Sequence, residues 1–152
     1  MRVAYCAVPL LGLSIVPCGL AAQTAQNAAQ PTRTDSTIQA YCATWGMRSS
    51  VDRDRTLARV WGDSATYTDP APTHARGRMA LSREIDRFQT RYPGTHFKCS
   101  AVQAHHGMFR FVWQMLDAKE KPQLTGMDFG EVDAQGRITR IVGFFGPLPE
   151  LR

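Results

Sequence analysis

Apolar residues recur at the spacing of an α-helix near the start of the folded part of the chain. They fall at positions i, i+3, i+4 and i+7, which lie on one face of a helix. These residues are Ile38, Tyr41, Cys42 and Trp45. A polar residue within 34–36 can cap this helix, and Gly46 predicts its end.

Two further segments show the same helical period. The second helix is predicted to begin at the capping residue Asp52 and to end before Gly62. Its expected buried face is Leu57, Val60 and Trp61. The third helix is predicted from about Arg78 to the stop at Pro93. Its apolar stripe is Leu81, Ile85, Phe88 and Tyr92.

Elsewhere the apolar pattern has a period of two, which is typical of strands. One strand, "SATYTD", lies between the second and third helices and is followed by a loop, "PAPTHARG". Four more strands follow the third helix, at 96–106, 108–116, 122–133 and 137–146. This order predicts an α+β domain, with three helices on one face of a curved, mostly antiparallel sheet. Such a sheet leaves a conical cavity between itself and the helices.

The N-terminal segment has the pattern of a secretory signal peptide. Arg2 precedes an apolar stretch that ends in small residues, and no further charge occurs before Arg33. We therefore predict a signal peptide at 1–22, a disordered tail at 23–33 and one domain at 34–152. The alternative is an uncleaved membrane anchor. With cleavage we expect a periplasmic or secreted protein that does not contact the membrane.

Charge and cysteine content narrow the picture further. The net charge is +5, and the basic residues are dispersed, so we expect no nucleic-acid partner. Outside the leader the cysteines are Cys42 and Cys99, an even number in an oxidising compartment. They form either a disulfide or two separate buried apolar side chains.

Three stretches carry a resemblance to a known family: "ARVWGDSATYTDP", "RGRMALSREIDRF" and "GMDFGEVDAQGRITRIVGFFG". Together with the order of elements, they resemble the nuclear transport factor 2-like (NTF2-like) superfamily, and within it the SnoaL-like branch. The resemblance covers 36–146. It implies the cone-shaped NTF2-like fold, a small apolar ligand and a possible homodimer formed between sheets. It does not specify an activity, because the superfamily contains isomerases, cyclases, dehydratases, epoxide hydrolases and non-enzymes.

Three residues match the catalytic set of the steroid Δ5-3-ketoisomerases in that superfamily. Asp69, within "ATYTDP", matches their base, an aspartate followed by proline at the end of the first strand. Tyr41 and Asp128 match the tyrosine and the aspartic acid of their oxyanion hole. The resemblance implies that Asp69 removes a proton next to a carbonyl group while the other two stabilise the enolate. Burial would keep Asp128 protonated, and therefore a donor, near neutral pH.

Each of these residues also has a purely structural interpretation. Asp69 can form a turn with its own backbone before Pro70, and Tyr41 can be a core aromatic residue. Asp128 is harder to explain structurally. It lies mid-strand, on the face opposite Met127 and Phe129, where a charge must be solvated, paired or neutralised.

Other residues complete the expected site. The expected binding residues along the cavity are Trp45, His74, Phe111, Trp113 and Phe144. Gly126 stands where epoxide hydrolases of this fold have an arginine, which argues against that reaction. The histidines and cysteines lack the spacing of a metal site, so we predict neither a metal nor a cofactor. The arginines of the third helix, at 83, 87 and 91, are interpreted as part of a solvated face.

Two classes of function follow. The first is an exported enzyme of isomerase or cyclase type, in which Asp69 transfers a proton on a small apolar carbonyl compound. The second is a non-catalytic domain of the same fold that binds a small ligand or mediates dimerisation.

Overall fold

The computed structural model describes residues 32–71 and 73–150, so the predicted signal peptide and nearly all of the predicted tail lie outside it. The described residues form three helices, α1 (Arg33–Thr44), α2 (Ser50–Val60) and α3 (Arg78–Arg91). The strands are β1 (Trp61–Thr68), β2 (His74–Arg76), β3 (His96–Cys99), β4 (Gln103–His105), β5 (Met108–Leu116), β6 (Pro122–Val132) and β7 (Ile138–Phe145).

All these strands belong to one sheet, in the order β2-β1-β7-β6-β5-β3, with β4 also paired to β5. Strands β1 and β7 run parallel, and every other described pair is antiparallel. The three helices pack against this curved sheet, which confirms the predicted α+β cone.

The buried faces of α1 and α2 follow the sequence pattern, but both helices begin before their predicted caps, and Asp52 lies inside α2. Tyr92 of the predicted α3 stripe is 41% exposed. The Thr32 side chain accepts a hydrogen bond from the amide of Asp35 (3.1 Å), so α1 begins slightly before the predicted cap. Ser49 caps α2 in the same way by accepting from the amide of Asp52 (3.2 Å). Ile38, like the rest of the predicted apolar face of α1, is buried in the core. No helix among the described residues has the length and apolar character needed to cross a membrane.

Long-range strand pairing changes three features of the predicted secondary structure. Trp61, predicted to end the second helix, instead opens β1, where it pairs with Ile138 of β7. The predicted loop contains β2, which pairs with β1 from Thr66 to Thr68. The segment 96–106, predicted as one strand, is divided into β3 and β4, both of which pair with β5.

A disulfide joins Cys42 of α1 to Cys99 of β3, which are 57 residues apart in sequence. Of the two interpretations given above, the structure therefore contains the disulfide and not two separate buried cysteines. The bond fixes the helix that carries Tyr41 to the edge of the sheet.

Candidate active site

A cavity of about 520 Å³ lies between the helices and the concave face of the sheet. Its wall is mainly aromatic: Tyr41, Trp45, Tyr67, Phe88, Tyr92, Phe97, Phe111, Trp113 and Phe145. The acidic and basic side chains that line it are Asp69, Glu84, Arg87, Arg91 and Asp128. The three residues of the predicted catalytic set therefore share one cavity with three of the predicted binding residues, Trp45, Phe111 and Trp113.

Asp128 lies in the middle of β6, on the concave face, and only 5% of its surface is exposed. The indole Nε1 of Trp113 donates a hydrogen bond to Asp128 Oδ1 at 2.7 Å. Burial raises the pKa of Asp128 to about 7; the Trp113 hydrogen bond opposes this rise and the charge of Asp69 adds to it. The carboxyl is therefore protonated in a large fraction of molecules at neutral pH and can donate a hydrogen bond.

Two glycines of β6 make room for this arrangement. Gly126 and Gly130 face the cavity side on either side of Asp128, opposite Trp113 and Phe109 of β5. A Cβ atom at Gly126 would lie 2.2 Å from the Trp113 ring, and one at Gly130 would lie 2.4 Å from the Phe109 ring. The rings therefore lie across the backbone of β6, which lets the Trp113 indole reach the carboxyl. An arginine at Gly126, as epoxide hydrolases of this fold require, cannot be accommodated.

Asp69 follows β1 and is partly buried at the side of the same cavity. The Tyr67 hydroxyl donates to Asp69 Oδ2 at 2.9 Å, whereas Oδ1 is buried and accepts no hydrogen bond from the described residues. Burial raises the pKa of Asp69, and the Tyr67 hydrogen bond opposes it, as do the nearby Ala71 amide and Thr73 hydroxyl. The balance of these effects leaves the pKa of Asp69 raised above its ordinary value.

Both aspartates lie next to Gly143 of β7. Gly143 is the register partner of Asp128. A Cβ atom at this glycine would lie 3.1 Å from Asp128 Oδ1 and 3.4 Å from the Cβ of Asp69. The missing side chain at this position therefore leaves space for both aspartate side chains.

Two tyrosines lie close to these carboxyl groups. Burial raises the pKa of Tyr41 well above the ordinary value, and the charge of Asp128 adds to it. Burial likewise raises the pKa of Tyr67, with further increases from neighbouring Tyr41 and the two aspartates. Both phenols therefore keep their protons and can act as donors. Tyr67 was not predicted as a site residue. It lies two residues before Asp69, and strand alternation therefore places both on the same face.

Two predicted binding residues lie elsewhere. His74 is exposed in β2, where it pairs with Thr68, and it does not line the cavity. Phe144 is 51% exposed and lies on the opposite face of β7 from Gly143. Because side chains alternate along a strand, the neighbouring Phe145 reaches the cavity instead and packs edge-on against Trp113 with centroids 5.8 Å apart.

A sequence profile of the SnoaL-like domain family matches residues 38–141. This chain belongs to the SnoaL-like domain family. The membership confirms the predicted NTF2-like superfamily and its SnoaL-like branch. No curated protein matches the sequence.

Solved structures with the same fold are similar to this SnoaL-like domain at low sequence identity. One is a candidate isomerase of the SnoaL-like family from Agrobacterium tumefaciens, 22% identical, with a TM-score of 0.71 over 76% of this chain and 98% of that one. A candidate ketosteroid isomerase from Kribbella flavida is 17% identical, with a TM-score of 0.58 over 79% and 82%. A hypothetical protein with a ketosteroid isomerase-like fold from Catenulispora acidiphila, in complex with trimethylamine, is 15% identical, with a TM-score of 0.58 over 72% and 85%. These similarities establish the fold alone.

The described residues offer no alternative centre based on a metal. Within 32–71 and 73–150, no three or more His, Cys, Asp or Glu side chains are grouped so that they could hold an ion.

Proposed function

We propose that this SnoaL-like domain transfers a proton next to the carbonyl group of a small, largely apolar compound, as an isomerase or cyclase-type lyase does. One observation carries the proposal. Asp69, whose pKa is raised by burial, and Asp128, whose pKa is raised to about 7, line the same cavity. Two carboxyl groups in different environments can supply a base and an acid from the same residue type.

The proposed step balances with these residues alone. The Asp69 carboxylate takes a proton from the carbon beside the carbonyl group, and the C–H electron pair forms the C=C bond of an enolate. The negative charge moves to the carbonyl oxygen, which accepts hydrogen bonds from the Tyr41 hydroxyl and the protonated Asp128 carboxyl. Asp69 then returns the proton to a different carbon, which completes an isomerisation.

Neighbouring groups orient the acid and the base in this scheme. Trp113 donates to Asp128 Oδ1, so the proton of that carboxyl resides on Oδ2, which is left to donate to the substrate. Tyr67 donates to Asp69 Oδ2 and so fixes the orientation of the carboxyl group that acts as the base. The aromatic wall favours binding of an apolar substrate, because aromatic side chains provide large apolar contact areas.

The test is isomerisation of a β,γ-unsaturated ketosteroid by the wild type, Asp69→Asn and Asp63→Asn. The control, Asp63, also belongs to β1, but its side chain is 78% exposed and pairs with Arg78 outside the cavity. We expect Asp69→Asn to lower kcat by about 10²- to 10⁴-fold, because an amide is not a base, and Asp63→Asn to retain activity. Equal activity of Asp69→Asn and the wild type would remove Asp69 as the base.

A second assay does not depend on the steroid. Small cyclic ketones in heavy water exchange their α-hydrogens for deuterium whenever an enolate forms, and nuclear magnetic resonance measures that exchange. We expect the wild type to accelerate the exchange and Asp69→Asn not to. If the wild type accelerates neither exchange nor isomerisation, the catalytic proposal fails.

A non-catalytic, ligand-binding role is the alternative. It is favoured by the aromatic wall around two carboxyl groups, an arrangement that suits an organic cation, and by the trimethylamine complex of the Catenulispora protein. Calorimetric titration with trimethylamine separates the two roles. Binding that Asp69→Asn abolishes, in a protein without proton-transfer activity, would favour the alternative.

We also propose that the domain forms a homodimer through the convex face of the sheet. Val112, Met127 and Phe144 are adjacent in register across β5, β6 and β7 on that face. Val112 and Phe144 are about half exposed, at 50% and 51%, so this row presents apolar surface to solvent. Sedimentation should show a dimer for the wild type and a monomer for Met127→Lys. A monomeric wild type at high concentration would contradict the proposal.

Export is the remaining proposal. The signal-like sequence at 1–22 and the disulfide between Cys42 and Cys99 support it, because such bonds persist in oxidising compartments. Full-length protein produced with its leader in a Gram-negative host should be recovered from the periplasm with a new N-terminus near Ala22. Recovery of the intact chain from the cytoplasm would contradict export.

A further inference from the structure

We infer that the mouth of the cavity binds the anionic group of an amphipathic ligand, a carboxylate or sulfonate monoanion, through Arg87 and Arg91 of α3. This inference names the ligand class of the cavity described above. It rests on the cavity being a binding site, but it does not require proton transfer.

The two arginines occupy the solvent side of the cavity. They are one helical turn apart on α3, and both line the cavity together with the aromatic rings of Phe88 and Tyr92 that follow them in sequence. The Arg87 side chain is 64% exposed, whereas Asp128 is 5% exposed and therefore lies at the deep end. The cavity thus has ionisable groups at both ends and aromatic surface between them.

Arg87 is held in place by its own helix. Its Nε donates to Glu84 Oε2 at 3.1 Å, and its second contact joins Nη2 to Glu84 Oε1. These contacts use two of the five N–H groups of the guanidinium, so three remain for a ligand. Glu84 also compensates the charge of Arg87, which limits the excess of positive charge at the mouth.

Arg91 supplies that excess charge. No carboxylate among the described residues forms an ion pair with it, and its guanidinium stands over the ring of Tyr92, 5.5 Å from the centroid. An arginine fork is well matched to a planar carboxylate. Glu84 neutralises the charge of Arg87, whereas no described carboxylate pairs with Arg91. Glu84, Arg87 and Arg91 together therefore have a formal charge of +1, which favours a monoanion over a phosphate dianion.

A matched pair of fluorescent probes tests this inference. Anilinonaphthalene sulfonate and N-phenylnaphthylamine share one aromatic skeleton and differ in the anionic sulfonate group. Both are titrated into the wild type, Arg91→Gln and the control Arg83→Gln. Arg83 is exposed on the same helix but does not line the cavity, so its substitution removes the same charge from a different place.

We expect Arg91→Gln to weaken binding of the sulfonate probe about three- to tenfold and to change binding of the neutral probe less than about twofold. Arg83→Gln should leave both affinities within about twofold. The sulfonate preference should also decrease in about 1 M salt, where charges are screened within about 3 Å. Equal weakening of the sulfonate probe by both substitutions, or equal loss of both probes in Arg91→Gln, would overturn the inference.

The same titration distinguishes this inference from the proposed proton transfer. Asp69→Asn should retain the sulfonate preference, because Asp69 does not belong to the arginine pair. A domain that shows the preference but no exchange activity would support the anion subsite and contradict the catalytic proposal. A domain that catalyses exchange but shows no sulfonate preference would support the catalytic proposal and contradict the anion subsite.

Discussion

The two faces of the sheet differ sharply where β5, β6 and β7 lie side by side. Two adjacent rows of register partners cross these strands, and they face opposite sides. The concave row is Phe111, Asp128 and Gly143, and the convex row is Val112, Met127 and Phe144. A buried carboxyl group lies on the concave side, while a phenyl ring is half exposed on the convex side.

This distribution is the reverse of what stability alone favours. A buried carboxyl group costs stability at neutral pH, and an exposed phenyl ring contributes little. Yet both belong to regular strands with continuous pairing. The comparison is consistent with the two proposals made above, acid and base groups on the concave face and a surface for association on the convex face.

The largest expected effect comes from filling the concave face. Gly126→Val places a Cβ 2.2 Å from the Trp113 ring and 2.3 Å from the Phe144 carbonyl oxygen. Because one of these neighbours is backbone, we expect a loss of more than about 3 kcal/mol in the free energy of unfolding. Urea denaturation measures it. Thr125→Val introduces the same side chain on the convex face and should change stability by less than about 0.5 kcal/mol. Similar effects at both positions would remove the difference between the faces.

The next largest effect is a pH-dependent gain in stability from Asp128→Asn. The folded protein keeps the Asp128 proton up to about pH 7, whereas the unfolded chain releases it near the ordinary value of 3.8. The stability contributed by this carboxyl group is therefore present below about pH 4 and is lost as the pH rises to about 7. Relative to the wild type, Asp128→Asn should gain roughly 3 to 4 kcal/mol in the free energy of unfolding between pH 4 and pH 8.

Urea titrations at several pH values measure this difference. The control is Asp63→Asn, which removes an exposed carboxyl group from the same sheet. A stability difference between Asp128→Asn and the wild type that does not depend on pH would show that Asp128 ionises normally in the folded protein.

A smaller effect comes from adjacent phenylalanines that face opposite ways. Phe145→Ser should weaken binding of N-phenylnaphthylamine about threefold or more, because the ring lines the cavity and packs against Trp113. Phe144→Ser should leave that affinity within about twofold and instead lower self-association in sedimentation experiments. Stability should change by no more than about 1 kcal/mol in Phe144→Ser, since the ring is half exposed. If the two substitutions affect the probe equally, the two faces do not have separate roles.

Local patterns predicted the fold and much of the cavity. Helical spacing placed Tyr41 on the inner face of α1, and strand alternation placed Asp128 opposite Met127 and Phe129. The resemblance then brought Asp69 into the same site, and the structure has all three residues in one cavity. The catalytic roles assigned to them stay predictions.

The errors arose where long-range pairing or strand orientation decides the outcome. Trp61 fits a helix by spacing, but its pairing with Ile138 makes it the first residue of a strand. Alternation shows that Phe144 and Phe145 face opposite sides, yet it does not show which side is concave. In the structure Gly143 faces the concave side next to the two aspartate side chains, so Phe144 faces the convex side.

The arginines of α3 illustrate the same limit. Their four-residue spacing, with acidic residues nearby, is typical of a solvated helix face, and the sequence analysis interpreted them in that way. The structure has Arg87 and Arg91 at the mouth of the cavity. Whether an exposed charge faces bulk solvent or the mouth of a cavity depends on the packing of α3 against the sheet, which local sequence does not encode.

The most direct test of the account is the titration of the aspartate carboxyl groups by carbon-13 nuclear magnetic resonance, with Asp69→Asn and Asp128→Asn used for assignment. We expect Asp128 to keep its proton to about pH 7, and Trp113→Phe, which removes the hydrogen bond to its carboxylate, to raise that pKa further. We also expect Asp69 to titrate at lower pH than Asp128. If Asp128 instead loses its proton below about pH 5, as an ordinary surface aspartate does, the cavity lacks the neutral acid on which the proposed chemistry depends.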